Sequence, residues 1–597
     1  MGKKHNIAII LCSIILTAII IAGVSYAYYM TVLNKTDDST VIFSTKELAL
    51  NFSDGPQITM PNAVPGQKVI KTFSVTNTGN QTVNYTIEFY DVLYEFIRHD
   101  FAFSLTATNG GFEIDKFDFW GDVNPIIGSA EIAPGVTQEY TFTLEFRNYP
   151  WSQSADMNKT IAFSIGISET IPVYGIKYDI NGQYGIYSNR TDAAMGINME
   201  YSTANHEFDH IYPWSDIISY NYDPVTQTRT ATYGDENFKF DGSNGLVMTY
   251  IPEFYYKRYI EDGYLYMKIS KYPIEGFLKS EAFSVSRYLA SWNGTSLESK
   301  SGAIPENAHV IDWYRSRVSN LGSKFSLLDY HLFYIQMLYA VEYNEIRGSW
   351  MYLGRGYTNW EQYQSLVAMN NSNQFVVNGY GFEVGDSIAF GTSQYFNDIV
   401  TNRTIIAKEA YDSGGITGYL YTFDGDPVDI TTSMNVHHIS HKTGTTDSLG
   451  MSSSAIAYGT SVTYRGIEDI YGNGWTFVDG ITSTNYIVSI CTDYTKYSDD
   501  VNNTCNQVTN IEIPHSTGFL NYLSYDGNYP YILLPTGTLS STSSFDRVVI
   551  GDSGRKVLIY GGVHGGNYHG MFTFGFDISA YYFEASFAGT RLLLHEE

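Results

Sequence analysis

The chain has 597 residues, which at roughly 150 residues per domain allows two to four domains, each with its own core. Hydrophobic residues make up 44% of the sequence and charged residues only 16%, a composition that excludes a largely disordered chain. The net charge of -27 argues against binding to nucleic-acid phosphates or anionic membranes, and it is compatible with an extracellular protein whose partners are neutral or basic.

Residues 1–27 have the three parts of an export signal. Two lysines precede an apolar run over 7–24, and small residues follow in 25–27, at the two positions that a signal peptidase reads. The apolar run is also close to the length that crosses a bilayer. We therefore expect a signal peptide or, without cleavage, an N-terminal membrane anchor, with the rest of the chain secreted or displayed on the cell surface.

Apolar and polar residues alternate from about residue 31 to residue 170, as they do in strands with one buried face. The alternation is clearest over 83–89, 140–146 and 161–167, and turn-forming Pro, Gly and Asn residues lie between these stretches. Strands of this kind predict an antiparallel β-sandwich domain over 31–170.

The same region resembles a known family. The resemblance lies in SYAYY at the end of the export signal, then in PGQKVIKTFSVTNTGNQTVNYTIEF, IAPGVTQEYTFTLEF and ADMNKTIAFSIGI. These segments are similar to the camelysin and biofilm-matrix-fibre family of Gram-positive bacteria, over roughly residues 1–170. The resemblance implies export and, in some members, assembly into fibres.

The pentapeptide HEFDH at 206–210 has the H-E-x-x-H spacing with which two histidines on a helix bind zinc beside a glutamate base. Its surroundings do not suit a helix, because loop-like polar residues precede it and Pro213 follows within one turn. We expect a strand-and-turn segment here. Zinc binding by His206 and His210, in a metallopeptidase, is an alternative hypothesis.

Beyond residue 172 the sequence becomes rich in Tyr and Gly, and its pattern is that of an α+β domain. Helices are predicted over 307–320 and 326–343; the second has an apolar stripe at helical spacing, with Ser326 and Asp329 placed as a capping box. A polar, strand-rich segment at about 362–460 predicts a small β insertion. The predicted fold class is mainly β with an α+β C-terminal part.

Three histidines, His437, His438 and His441, follow in a polar segment at 434–442. Their spacing could ligate a metal, but a metal site also needs a rigid element and a further ligand. The composition indicates an exposed loop, so we expect no metal there and no cofactor elsewhere.

Cys491 and Cys505 are the only cysteines beyond the export signal. Outside the cell two such cysteines favour a disulfide over two free thiols. The bond would close a loop of about 15 residues, which contributes roughly 3 kcal/mol on the chain-entropy model.

A second resemblance covers about 172–597. The segments FDHIYPWSDI, FKFDGSNGLVMTYIPEFYYKR, SLLDYHLFYIQMLYAVEY, YRGIEDIYGNGWTFVDG and GGVHGGNYHGMFTF…FAGTRLLL occur in this order. They resemble C-type-lectin-fold domains of phage tail fibres and prophage-derived surface proteins, which are related to the major tropism determinant and to formylglycine-generating enzymes. The resemblance implies a lectin-like fold whose C-terminal segment contacts the ligand. It does not imply catalysis, because the polar segment that contains the two cysteines has nothing strongly electropositive that would lower the pKa of a thiol.

The C-terminal segment 561–591 contains the predicted binding site. Three phenylalanines alternate over 572–576, so their neighbours are expected to face outward if the phenylalanines face the core. Aromatic and amide side chains on a rigid scaffold suit binding of a protein or a sugar. The predicted ligand-binding residues are His564, Asn567, Tyr568, His569, Met571, Thr573, Tyr581, Tyr582 and Glu584.

Together these patterns predict an exported cell-surface adhesion protein, not an enzyme, with a lectin-like head on a β-sandwich spacer. The ligand would be an extracellular protein or glycan, bound without calcium because no E-P-N-like triplet is present in the sequence. A structural biofilm-matrix fibre subunit, self-associating through its N-terminal domain, is the alternative. Nucleic-acid partners are not expected, nor is any membrane contact beyond the N-terminal segment.

Overall fold

The computed structural model describes residues 50–596, apart from these positions: 59, 61–62, 97–99, 119–125, 150–152, 154–158, 169–171, 181–187, 198–206, 275, 308, 358–361, 380, 393–397, 455–459, 501, 541–544, 563–568 and 580–587. The predicted export signal at 1–27 therefore lies outside the described residues. Within them, no helix has both the length and the apolar character needed to cross a bilayer. Strands account for 47% and helices for 9%, so the mainly β class is confirmed.

The chain divides into two compact units, with the boundary between Pro172 and Val173. The strands of the first unit are β1 (Leu50–Ser53), β2 (Lys68–Asn77), β3 (Val83–Tyr94), β4 (Phe101–Ala107), β5 (Ile114–Asp118), β6 (Ile126–Ile132), β7 (Thr137–Phe146) and β8 (Ile161–Ser168). They form one sheet in the order β1-β2-β7-β4-β5 and a second in the order β6-β3-β8. All of the pairings are antiparallel.

Side chains from both sheets of the first unit share one core. Phe73, Tyr85 and Phe142 are buried there, on strands whose alternate residues face the solvent. The Tyr85 and Tyr140 hydroxyl groups lie 2.6 Å apart inside this core, so their polar atoms are paired rather than stranded. Burial of the hydroxyl groups raises the pKa of both tyrosines.

The second unit begins at Val173 and has more elements. Its strands before the insertion are β9 (Tyr174–Asp179), β10 (Ser188–Asp192), β11 (Ile218–Asp223), β12 (Thr228–Thr232), β13 (Leu246–Ile251), β14 (Phe254–Glu261), β15 (Tyr264–Ser270), β16 (Leu278–Ser280), β17 (Phe283–Ser286), β18 (Ser291–Trp292), β19 (Leu297–Glu298) and β20 (Phe325–Leu327). The helices are α1 (Ile311–Val318), α2 (Leu332–Tyr343) and α3 (Trp350–Leu353).

The remaining strands of the second unit belong to the insertion and to the C-terminal sheet. The insertion contains β21 (Gln362–Gln364), β22 (Met369–Ser372), β23 (Gln374–Val377), β24 (Ser387–Gly391), β25 (Asp398–Ser413), β26 (Ile416–Phe423), β27 (Val428–Ile430) and β28 (Asn435–His438). The C-terminal part contains β29 (Thr463–Tyr464), β30 (Ile467–Glu468), β31 (Trp475–Thr484), β32 (Ile487–Ile490), β33 (Gln507–Glu512), β34 (Gly518–Ser524), β35 (Leu534–Leu539), β36 (Arg547–Ile550), β37 (Lys556–Tyr560), β38 (Phe574–Phe576), β39 (Ala588–Gly589) and β40 (Leu592–His595).

Helix α2 lies at the centre of the second unit, and every one of its side chains is buried. A sheet in the order β10-β9-β15-β14-β16 covers one side of it, where the Tyr256 and Tyr334 rings lie 5.3 Å apart. The predicted apolar stripe therefore understated the burial of this helix. A helix that is apolar all round belongs in the interior of a large unit.

The predicted capping box is wrong. Ser326 lies in β20 rather than in a helix, because β20 pairs with the last strand, β40. The helix begins only at Leu332, and Asp329 accepts hydrogen bonds from the backbone and the ring of His331 at distances of 3.0 and 2.6 Å. The pairing partner is more than 260 positions away along the chain, so local sequence gave no sign of it.

The strand-rich segment after residue 362 has its own core. Phe375, Phe390 and Tyr421 pack there inside a six-stranded sheet in the order β21-β28-β24-β25-β26-β23. A nine-stranded sheet from the C-terminal part and the sheet β12-β11-β13-β17-β40-β20 complete the unit. Arg591, fully buried before β40, donates to the backbone oxygens of Glu468 and Asp469 and so fixes the end of the chain.

Candidate ligand-binding surface

The described residues 569–579 of the C-terminal segment do not form the exposed platform that the sequence predicted. Three of the residues predicted to contact ligand are buried. The exposed fraction is 2% for His569, 0% for Met571 and 0% for Thr573. The backbone here is tied into the interior, since Gln336 donates to the carbonyl oxygen of Met571 at 2.6 Å. Burial, together with Arg547, lowers the pKa of His569 to about 3, so its ring is neutral. The ligand-binding prediction is therefore wrong for these three residues.

The error follows from the position of β38 in its sheet. This strand lies between β36 and β37, and its two faces belong to different cores. Phe574 packs against Phe333 of α2 at 6.1 Å, while on the other face a side chain at Gly575 would meet Ile559 and Trp475. Alternation indicates an exposed face only when one side of a sheet is open to solvent.

The other predicted ligand-binding residues, His564, Asn567, Tyr568, Tyr581, Tyr582 and Glu584, lie outside the described residues. They remain a prediction from the sequence alone.

The HEFDH segment forms a single short turn. Glu207–His210 is a 3-10 helix, and Phe208 is buried in the core against Trp214, with ring centres 4.6 Å apart. Asp209 lies 3.0 Å from Arg465, which also forms a buried two-point ion pair with Glu342 at 2.8 Å. Phe208 thus has a packing role and Asp209 an ion-pair role, neither of which involves zinc.

The first histidine of the zinc hypothesis, His206, lies outside the described residues. Within the part of the chain that the structure describes, no group of three or more His, Cys, Asp or Glu side chains is arranged to hold a metal ion. The 3-10 geometry also differs from the α-helix on which H-E-x-x-H binds zinc.

The expectation of an exposed loop at 434–442 is wrong. His437 and His438 lie in β28 and are almost fully buried. The His438 ring is 2.7 Å from one oxygen of Asp386, and the Tyr357 hydroxyl donates to the other at 2.9 Å. Burial opposes the charged carboxylate, but these hydrogen bonds outweigh it and lower the pKa of Asp386. His438, Asp386 and Tyr357 therefore form a buried hydrogen-bonded network inside the fold.

The predicted disulfide is present. Cys491 and Cys505 are bonded, with their Cα atoms 5.1 Å apart. The loop that they close packs on its surroundings through Tyr497, which donates to Asp329 at 2.8 Å, and through Tyr494, whose ring stacks on His595 at 3.7 Å. These contacts indicate a structural bond rather than a reactive thiol pair.

A different surface in the second unit has the character of a binding site. It is the solvent side of the sheet β10-β9-β15-β14-β16, whose other side covers α2. We call this surface the Tyr–Lys face and define it by seven partly exposed side chains: Lys177, Tyr255, Lys257, Tyr259, Tyr264, Tyr266 and Lys268.

The register of the strands places these side chains in rows. One row consists of direct cross-strand neighbours on four adjacent strands: Asn189, Lys177, Tyr266 and Tyr259. The Tyr259 and Tyr266 rings stack in parallel, 4.7 Å between centres and 3° between planes. Direct neighbours in an antiparallel sheet point to the same side, so the row crosses the middle of the face.

Two of the lysines have no carboxylate partner. Lys257 lies 5.4 Å from the centre of the Tyr259 ring and Lys177 lies 5.3 Å from that of Tyr264, and neither forms an ion pair with a described residue. Lys268 differs, because Asp192 lies 3.0 Å from its ammonium group. Burial acts against the charged form of Lys268, but the Asp192 carboxylate more than compensates and raises the pKa.

The sequence held a signal for this surface. In FYYKRYIEDGYLYMKIS a Tyr or Lys occupies every second position over 255–259 and again over 264–268. An Asp-Gly pair, which is frequent in hairpin turns, separates the two halves. Asp262 and Gly263 both have positive φ angles, 49° and 81°, as a type I′ turn requires. The period-two pattern of this hairpin alone predicts that its Tyr and Lys side chains share one face.

Comparison with known proteins leaves the chain without an assigned family. No known protein family and no curated protein matches it. The observations that bear on function are therefore those of the Tyr–Lys face.

Proposed function

We propose that the chain is an exported cell-surface binding protein, with a β-sandwich spacer over 31–170 and a C-type-lectin-like head over 172–597. The head binds an extracellular glycan, and it does so through the Tyr–Lys face. The sequence resemblances support the domain identities and the export. The observation that carries the binding role is the row of stacked, partly exposed tyrosines flanked by unpaired lysines on a rigid sheet.

The physical basis is preorganisation. Backbone pairing fixes the spacing of the Tyr–Lys face, and the buried side of the same strands anchors it to α2 through residues such as Met267 and Tyr256. A tyrosine has few rotatable bonds and combines an apolar ring with a hydroxyl group, so little entropy is lost when it contacts a sugar. A surface of this kind can bind without a conformational change.

The proposal is tested with full-length protein on cells and extracellular matrix of the producing organism. The Tyr259→Ser/Tyr266→Ser double variant should lose most of its binding, since both rings of the stack are removed. Tyr411→Ser is the matched control, because Tyr411 is also partly exposed on a hairpin strand but lies in the insertion. Its binding should equal that of the unchanged protein.

The stability of each variant is measured alongside binding. Loss of one cross-strand aromatic pair costs about 0.2–1 kcal/mol, so the double variant should remain folded. Wild-type binding by a folded double variant would refute the proposal. A third variant with Tyr568, Tyr581 and Tyr582 changed to Ala compares the C-terminal segment directly: binding lost there alone would return the site to its predicted position.

A structural matrix-fibre subunit is the competing function. It predicts filaments that form in a concentration-dependent way from the region 28–170, with no role for the head. Electron microscopy and sedimentation of the full-length chain distinguish the two. Filaments whose formation is unaffected by the Tyr259 and Tyr266 changes, without glycan binding, would favour the fibre subunit.

A further inference from the structure

Arg258 is a buried positive charge without a counter-ion. It lies between Lys257 and Tyr259 on β14 and therefore points to the opposite side of the sheet from the Tyr–Lys face, where it is only 7% exposed. Burial lowers the pKa of its guanidinium to about 10, so the group is still charged at neutral pH. No carboxylate of a described residue forms an ion pair with it. A buried charge without a partner is unfavourable, so the site favours an anion from outside the chain.

Most of the hydrogen-bond donors of Arg258 have no strong acceptor. Its Nη1 donates to the carbonyl oxygen of Pro530 at 2.9 Å, and its Nη2 lies 3.6 Å from the sulfur of Met267, which is a weak acceptor. Its Nε is buried and has no hydrogen-bond partner in the described part of the chain. Nε and Nη2 form the edge of a guanidinium that binds a carboxylate at two points. This edge therefore meets no oxygen acceptor within the protein.

Two other buried arginines of the second unit show how the fold satisfies such a group. Arg465 forms a two-point ion pair with Glu342, and Arg591 donates only to backbone carbonyl oxygens, four in all. Arg258 has one carbonyl oxygen and no carboxylate. The architecture of the second unit therefore leaves the charge of Arg258 less compensated than these two.

Tyrosine side chains surround the guanidinium. The groups that act on its charge are Tyr256, Tyr334 and Tyr525, and there is no carboxylate among them. The Tyr256 and Tyr334 rings lie 5.3 Å apart, and the Tyr531 ring lies 5.6 Å from that of Tyr334. Tyr525 is partly exposed, and its hydroxyl group forms no hydrogen bond with a described residue, so it can donate to a ligand. The surroundings thus offer apolar rings and a further donor.

The turn that contains Tyr525 adds little negative charge. Its one acidic residue is Asp526, whose two carboxylate oxygens accept hydrogen bonds from the backbone N–H groups of Asn510 at 3.1 Å and Asn528 at 2.8 Å. Asp526 is not among the groups that act on the charge of Arg258. An incoming carboxylate therefore meets one positive charge that no neighbouring acid neutralises.

From these observations we infer that Arg258 anchors a second binding site, which takes the carboxylate group of a small monocarboxylate ligand. The free edge of the guanidinium binds the two carboxylate oxygens, and the tyrosine rings pack against the rest of the ligand. One guanidinium balances one negative charge, so a monocarboxylate leaves the site neutral, whereas a phosphate dianion would bury a net negative charge. The site lies on the other side of the sheet from the Tyr–Lys face and does not depend on the proposed function.

The test measures how carboxylates change the stability of the full-length chain. Urea unfolding of the second unit is followed at increasing concentrations of acetate, benzoate or galacturonate, with sodium chloride added to keep the ionic strength constant. A ligand that binds only the folded state raises the unfolding midpoint in a saturable way. At least one of the three carboxylates should do so, and uncharged methyl benzoate should not. A rise with acetate or benzoate identifies an organic acid as the ligand, and a rise with galacturonate alone identifies an acidic sugar.

Arginine variants locate the contact. Arg258→Met should abolish the carboxylate effect and should leave the protein at least as stable in chloride alone, because it removes a buried charge that has no partner. Arg258→Lys keeps the charge but loses the two-point edge, and it should weaken carboxylate binding by about tenfold. Arg317→Met is the control, because Arg317 also has no carboxylate partner among the described residues but is partly exposed, 4.4 Å from the centre of the Trp313 ring. This variant should respond to carboxylates as the unchanged protein does.

The outcomes separate this inference from the proposed function. General salt effects on stability are shared by the Arg258→Met variant, so the specific effect is the difference between that variant and the unchanged protein. Equal responses of these two proteins to all three carboxylates, or a phosphate effect as large as that of the carboxylates, would overturn the inference. So would an Arg258→Met variant that is clearly less stable in chloride, since Arg258 would then be a structural residue. The Tyr259→Ser/Tyr266→Ser variant should keep the carboxylate effect, whatever happens to its glycan binding.

Discussion

Removal of the disulfide is the change whose effect on stability can be worked out most directly. Cys491 and Cys505 are separated by 14 positions, so the bond closes a loop of about 15 residues and is expected to contribute roughly 3 kcal/mol by restricting the unfolded chain. Cys491 is buried, and replacement of both cysteines by Ala avoids placing a new hydroxyl group there.

The folded loop should survive the loss of the bond, because its other contacts remain. Tyr497 still donates to Asp329, and Asp499 lies 2.6 Å from Arg315. The expected loss is therefore a property of the unfolded state. Binding to the glycan ligand should not change, since the loop is not part of the Tyr–Lys face.

The assay is urea unfolding of the full-length chain, followed by hydrogen exchange of peptides from the second unit, because the two units need not unfold together. The double Ala variant should lose roughly 3 kcal/mol, and a reductant should reproduce this loss in the unchanged protein but not in the variant. An unfolding midpoint that is the same with and without the bond would refute the chain-entropy reasoning.

The remaining predictions use the same unfolding assay or a simple sizing experiment. Glu342→Gln removes the buried carboxylate that pairs with Arg465 at two points and should cost about 3 kcal/mol. Asp209→Asn, at a partly exposed position, leaves that buried pair intact and should cost less than about 1 kcal/mol; equal costs would contradict this account. Burial raises the pKa of the Glu468 and Asp469 carboxyl groups. The stability that these groups provide is therefore complete below their unfolded pKa values and is lost as the pH rises through the folded pKa values. The second unit should resist urea better at about pH 5 than at about pH 8, and Asp469→Asn should reduce this difference. The fragment 172–597 should be folded and monomeric in sedimentation, and a folded dimer would show an unrecognised interface.

Sequence patterns predicted strands in the first unit because each of these strands meets a core on one face only. Phe142 and Leu144 are buried while Thr143 between them is partly exposed, as period-two alternation requires when one face of a sheet meets a core. The disulfide was predictable from composition, since only two cysteines lie beyond residue 27 in the sequence.

Prediction failed where distant parts of the chain cover a surface. Thr573 alternates with phenylalanines, but β38 is enclosed on both sides by cores from other elements, and alternation cannot reveal a second cover. Ser326 has the spacing of a helix cap, but pairing with Leu593 draws it into a strand. Both errors come from tertiary contacts that overrode a correct local pattern.

The Tyr–Lys face shows the opposite case, a local signal that was present but had no obvious chemical motif. Tyr259 and Tyr266 are symmetric about the Asp262-Gly263 turn, so the hairpin alone brings them together. What the sequence could not supply is the neighbouring strand β9, which places Lys177 in the same row. A surface assembled from several strands can therefore be predicted only in part from the sequence.

Lysine footprinting in the presence of ligand tests the central claim most directly. The full-length chain is acetylated with and without the glycan identified in the binding experiments, and modification of each lysine is measured by mass spectrometry. Lys177 and Lys257 should be protected by the ligand, while Lys239, an exposed lysine outside this face, should react equally in both samples. Unchanged reactivity of Lys177 and Lys257 when the ligand is bound, with protection elsewhere on the chain, would contradict the assignment of the Tyr–Lys face as the binding site.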